Sequence, residues 1–113
     1  MFELVFSKVF DEDIDACYDY IKDTLESPMA AKNLMNELSS KLIYLEEKPY
    51  SRPLVQDKFL ASFGIRSIRV KNYIVFYIIS FIGSSFRIFI QSLLPYINLK
   101  IFTFFLSFSS SMI

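Results

Sequence analysis

Apolar and polar positions alternate from Phe2 to Phe6, which puts Phe2, Leu4 and Phe6 on one side of a short first strand. The period then lengthens. Phe10, Ile14, Cys17, Tyr18, Ile21 and Leu25 recur at helical spacing behind Ser7, an expected N-cap. Asp11, Glu12, Asp13, Asp15 and Asp19 fill the solvent side, where early carboxylates suit the helix dipole. A second stripe, Ala31, Leu34, Met35, Leu38, Leu42 and Leu45, begins after the cap and first-turn proline at Ser27-Pro28 and stops at Pro49. The joint around Glu26 and Ser27 is short, so the pattern predicts a helical hairpin packed on one face of a sheet.

From Pro49 to Gly64 runs a long connection with two prolines, Arg52 and Lys58, expected to carry function or some structure of its own. Between Ser62 and Ile79, two β-branched, aromatic-rich runs flank Lys71-Asn72, the pattern of a hairpin with a two-residue turn. Its register follows from period 2. Val70 pairs with Tyr73, Ile68 with Val75 and Arg66 with Tyr77, while Ser67, Arg69 and Lys71 share the opposite face with Ile74, Phe76 and Ile78. The first strand is half cationic; the second is apolar on both faces, as a covered central strand should be. The expected fold class is α+β, a small antiparallel sheet with a helical hairpin on one face in the order β-α-α-β-β.

Past Ile79 the composition changes. All twelve carboxylates lie in residues 1–79 and none in residues 80–113, where equal density would place about five. This predicts a core domain at 1–79 and a hydrophobic Ser/Phe-rich tail at 80–113. The tail admits three readings: a membrane span interrupted by Pro95, Asn98 and Lys100, a further strand at Phe86–Ile90 followed by an apolar terminal helix, or a segment foreign to the ancestral fold. Membrane association is not expected.

Equal numbers of acidic and basic residues leave no net charge, so any nucleic-acid surface must be local. The chain has no histidine and a single cysteine, which removes the parts for common zinc sites, internal disulfides and Ser-His or Cys-His catalysis. We expect no cofactor and no metal. The lone cysteine fits a reducing cytoplasm, Cys17 reads as a buried core thiol, and no cationic n-region with an apolar h-region and cleavage site opens the chain.

The order strand, two helices, long connection and then Gly64-x-Arg66-x-Ile68-Arg69-Val70-x-Asn72-Tyr73-x-Val75-x-Tyr77 resembles the RelE/ParE superfamily of toxins from bacterial type II toxin–antitoxin modules. Asp19-Tyr20-Ile21, Ala30-Ala31-x-x-Leu34, Lys48-Pro49-Tyr50-Ser51 and Pro53-Leu54 add to the likeness. The resemblance implies two possible activities, ribosome-dependent mRNA cleavage or inhibition of DNA gyrase, either one neutralised by a cognate antitoxin. The nuclease is the nominal expectation; a gyrase inhibitor, or a remnant that only binds antitoxin, is the alternative. For cleavage, Arg69 matches the strand arginine that neutralises the phosphorane and Arg66 a second basic position, with Lys71, Lys58, Arg52 and Tyr73 as RNA-binding candidates. The chain departs from the nuclease pattern in lacking an Arg-x-x-Tyr after Ile79 and in carrying Ser51 where some members have a glutamate.

Overall fold

The computed structural model describes residues 2–82 and 85–95. Strand β1 (Phe2–Phe6) leads into helix α1 (Lys8–Asp19), which widens into a π-helical turn at Tyr20–Thr24 before helix α2 (Pro28–Glu47). A 3-10 turn at Pro49–Ser51 and the short helix α3 (Lys58–Ala61) break the connection to β2 (Ile65–Val70), β3 (Tyr73–Ile82) and β4 (Ser85–Pro95). Both expected caps form. The Ser7 hydroxyl accepts from the Phe10 N–H at 2.9 Å, and the Ser27 hydroxyl from the Ala30 N–H at 3.3 Å. Glu26 makes the sharp joint between the helices with φ at 51°, a left-handed conformation that costs an L residue about 1–2 kcal/mol.

The four strands form one sheet in the order β1-β4-β3-β2. It is antiparallel through β2, β3 and β4, while β1 joins β4 in parallel with Phe2 opposite Phe86 and Phe6 opposite Ile90. The helices pack on one face. Phe10, Cys17, Ile21, Ala31, Leu34, Leu38 and Leu45 meet Ile68, Val70, Val75, Tyr77, Ile88, Ile90 and Leu93 in a single core. On the other face Ile74 and Phe76 are buried with Val55, Ile65 and Leu94 packed against them. Both faces of β3 are thus covered, as its unbroken apolar run requires.

The boundary expected after Ile79 falls inside β3, and the first part of the expected tail is the central strand β4. Ile88, Ile90 and Leu93 are no more than 1% exposed. A strand paired on both edges and covered on its helix side needs few charges, so its composition looked foreign for a structural reason. The strand reading placed at Phe86–Ile90 is therefore the one that fits residues 85–95, whereas the terminal helix and the membrane-span readings rest on residues outside the described ones. No helix among the described residues is long and apolar enough to cross a membrane.

Beyond β1 the edge of β4 is covered by α1. A bulge between Phe76 and Tyr77 sets Gln91 out of register, and the Ser7 hydroxyl donates to the Gln91 carbonyl at 2.6 Å. Asp13, expected on the solvated face, instead accepts from the Leu93 N–H at 3.1 Å. Burial pushes its carboxyl up, the Leu93 bond opposes this, and Glu12 adds to it. A carboxyl raised in the folded state favours the protonated form, so its contribution to stability is greatest in acid and is lost as pH rises through the folded pKa. Asp13→Ala, which orphans the Leu93 N–H, should cost about 1–2 kcal/mol by chemical denaturation. Asp13→Asn keeps an acceptor without the charge and should cost less while flattening the pH dependence.

Candidate functional site

The hairpin forms in the expected register, Arg66 opposite Tyr77, Ile68 opposite Val75 and Val70 opposite Tyr73. Lys71 opens the turn with φ at 54°. The Arg69 side chain is exposed, and its Nε donates to the Lys71 carbonyl at 2.9 Å, tying the guanidinium to the turn. β2 is the edge strand beside α2, and the two leave between them an open cleft of about 440 Å³. Glu37, Ser40, Lys41 and Tyr44 of α2 line one wall, Ile68 and Arg69 of β2 the other, with Arg52 from the connection.

Arg66 is placed differently. Three positions separate it from Arg69, so the two side chains leave β2 on opposite faces. Arg66 donates to the Arg52 carbonyl and lies 5.2 Å from the centre of the Tyr50 ring. The connection is also held by the Leu54–Arg66 bridge, by the Val55 N–H on the Ile65 carbonyl at 3.0 Å, and by the buried Tyr77 hydroxyl donating to the Pro49 carbonyl at 2.9 Å. Arg66, expected as a second phosphate ligand, thus holds the segment that carries Arg52.

Of the other candidates, Arg52 joins Arg69 in the cleft lining, Lys71 stands beside it at the turn, and Lys58 lies apart on α3 behind the Asp57 cap. Tyr73 packs against the helix-side core with its hydroxyl facing the Cys17 thiol. It sits under the helices rather than beside Arg69, because it shares a face with Val75 and Tyr77. Glu37, Ser40, Lys41 and Tyr44 of the cleft wall were not among the expected residues; their signal was i,i+4 spacing along the flank of the α2 apolar stripe. Glu37 and Lys41 form an i,i+4 ion pair at 3.8 Å.

Burial pushes the Tyr73 hydroxyl up to about 12, helped by Cys17, and pushes Tyr77 up to about 12 although Arg66 and Arg52 pull it down. Burial likewise raises the Cys17 thiol, against the hydrogen bond from Tyr73. A tyrosine raised in the folded state stays protonated after its unfolded counterpart ionises, so stability should be intact below about pH 10 and fall between pH 10 and 12. The Tyr73→Phe, Tyr77→Phe double variant should lose less of its stability across that window, as read by thermal melts at stepped pH. Tyr77→Phe alone leaves the Pro49 carbonyl without its donor and should cost about 1 kcal/mol at neutral pH.

Comparison with known proteins supports the fold. The family model described as the ParE toxin of the type II toxin–antitoxin system, parDE, matches residues 4–93. A structure of the chromosomal ParDE toxin–antitoxin system from P. aeruginosa superposes with a TM-score of 0.66 at 16% identity, covering 84% of this chain and 96% of that one. A YoeB/ParE toxin from Agrobacterium tumefaciens gives 0.58 at 13% identity, covering 82% and 97%. At these identities the likeness is one of fold. No curated protein matches the chain at a significant level.

Proposed function

The chain belongs to the ParE toxin family of type II toxin–antitoxin systems, and we propose that it arrests growth by binding a protein target, DNA gyrase, rather than by cutting RNA. Membership implies a cognate antitoxin as its partner. The choice of target rests on one observation: Arg66 and Arg69 leave β2 on opposite faces, and Arg66 is engaged by the Arg52 carbonyl and the Tyr50 ring.

RNA cleavage through the ribose 2′-hydroxyl needs a proton acceptor, a cation on the phosphorane and a proton donor, converging within a few ångströms. The candidates for those tasks are dispersed over the face carrying Arg69, the helix-side core and α3. Glu37, the carboxylate lining the cleft, is paired with Lys41. An inhibitor that acts by contact needs no convergence of acid and base, only a charged surface held in shape, and Arg69 with Arg52 supplies one. Gyrase works on chromosomal DNA, so the site of action is the cytoplasm.

Expression in cells lacking the antitoxin should induce the DNA-damage response while ribosome-bound mRNA stays whole, and co-expression of the antitoxin should restore growth. Rapid cutting of translated mRNA without DNA damage would instead establish the nuclease reading, with mRNA on the ribosome as the target.

A further inference from the structure

We infer that the outer edge of β1 joins two copies of this chain, strand against strand about a two-fold axis at Leu4. The inference concerns how the protein assembles and holds whichever target it takes. β1 ends the sheet, and β4 is the strand it pairs with among the described residues. The Ser7 N–H donates to the Ile90 carbonyl at 3.0 Å, which fixes the alternation along the strand. The N–H and C=O groups of Glu3 and Val5 face β4, and those of Phe2, Leu4 and Phe6 face outward.

Edge strands of monomers are commonly blunted by lysine, proline or a bulge. The run Phe2-Glu3-Leu4-Val5-Phe6 has no lysine or proline, and it pairs with β4 without a break in register. Its one charge, Glu3, is met within the same copy by Arg87 of β4 at 3.6 Å. The edge is therefore apolar, regular and electrically quiet, which suits contact with a copy of itself.

The register follows from the strand's own sequence. Two copies laid antiparallel about Leu4 set Phe2 opposite the second copy's Phe6 and Leu4 opposite its counterpart, so every outward residue exchanges both backbone bonds. Glu3 then falls opposite the second copy's Val5. Centring the pair on Glu3 would set two carboxylates directly opposite each other, and centring it on Val5 would run Phe2 against Lys8, which is in α1. A two-fold contact of this kind uses the same edge of both copies and closes.

The side chains agree with the backbone. Phe6 is 44% exposed although it stacks on Phe10 at 5.6 Å. Phe2 belongs to a row of rings, with Phe86 at 5.0 Å and Tyr50 at 6.2 Å. Both rings lie on the helix side of the strand, so contact between Phe2 and the second copy's Phe6 joins the two groups of rings and covers Phe6. A strand pair of this length is smaller than a standard interface, which places the dimer in the micromolar range of affinity.

The test is sedimentation velocity of the purified full chain through the micromolar range, with amide hydrogen exchange read by NMR at both ends of the series. A reversible monomer–dimer equilibrium is expected. The amides of Phe2, Leu4 and Phe6 should exchange at least about 10-fold more slowly in the concentrated sample, whereas those of Glu3 and Val5, held by β4, should be slow in both. Phe6→Lys should weaken the dimer at least about 10-fold with the melting temperature of dilute protein nearly unchanged. Val5→Lys sets a cation against the second copy's Glu3 and should leave the dimer at least as strong. A chain that stays monomeric, a dimer in which the Phe2, Leu4 and Phe6 amides exchange freely, or one weakened equally by both lysine variants overturns the inference. Protection of those amides by added antitoxin, in a chain that does not associate with itself, assigns the edge to the antitoxin and overturns it as well.

Discussion

A chain cut after Ile79 is expected not to fold. The cut removes the end of β3 and all of β4, which lies between β3 and β1 and is the only strand that β1 pairs with among the described residues. β1 would be left with no ladder, and α1 would lose the Gln91 and Leu93 backbone groups that Ser7 and Asp13 hold. Burial of Ile88, Ile90 and Leu93 alone is worth about 5–9 kcal/mol at 1.5–3 kcal/mol per side chain. That equals the whole net stability of many domains. Circular dichroism of the truncated chain should show no cooperative melt. A folded 1–79 fragment would mean that β4 is dispensable.

Reversing one charge, Arg69→Glu, is expected to abolish growth inhibition while leaving the fold nearly unchanged. Arg69 is exposed at the edge of the sheet, so its replacement opens no cavity, and the bond to the Lys71 carbonyl is one of the contacts given up, at about 1 kcal/mol. A charge facing a partner counts for more: losing one member of such a pair costs about 2–5 kcal/mol, roughly 30-fold or more in affinity. Cells expressing the variant without antitoxin should grow as uninduced cells do, with the protein accumulating at its normal level. Arg66→Glu should differ in kind. It releases the Arg52 carbonyl and the Tyr50 ring, so its first effect is a lower melting temperature. Growth arrest lost without a change in melting temperature for Arg69→Glu, and a lowered melting temperature for Arg66→Glu, would separate a role in action from a role in positioning.

Much of the fold was legible in residue pattern because local and tertiary demands agree there. Ser7 and Ser27 cap as their types dictate, and the hairpin register follows from a period of two that leaves no other assignment for Val70 and Tyr73. What was not legible depends on partners distant in sequence. β4 reads as an apolar block without alternation, which looks the same in a central strand, a tail or part of a span. Asp13 looked like any solvated carboxylate because its partner lies 80 residues away. For the site, Arg69 could be placed on the face away from the helices from β2 alone. The roles of Arg66 and Arg52 could not, since they depend on how the connection folds back on the strand edge. Parity along β2 already separated Arg66 from Arg69, and the structure gives that separation its consequence.

The most direct test is the supercoiling of relaxed plasmid DNA by purified gyrase in the presence of the purified toxin. The native chain should inhibit supercoiling, Arg69→Glu at the same concentration should not, and adding the antitoxin should relieve the inhibition. Undiminished supercoiling by gyrase, together with cleavage of ribosome-bound mRNA by the same preparation, would exclude gyrase as the target.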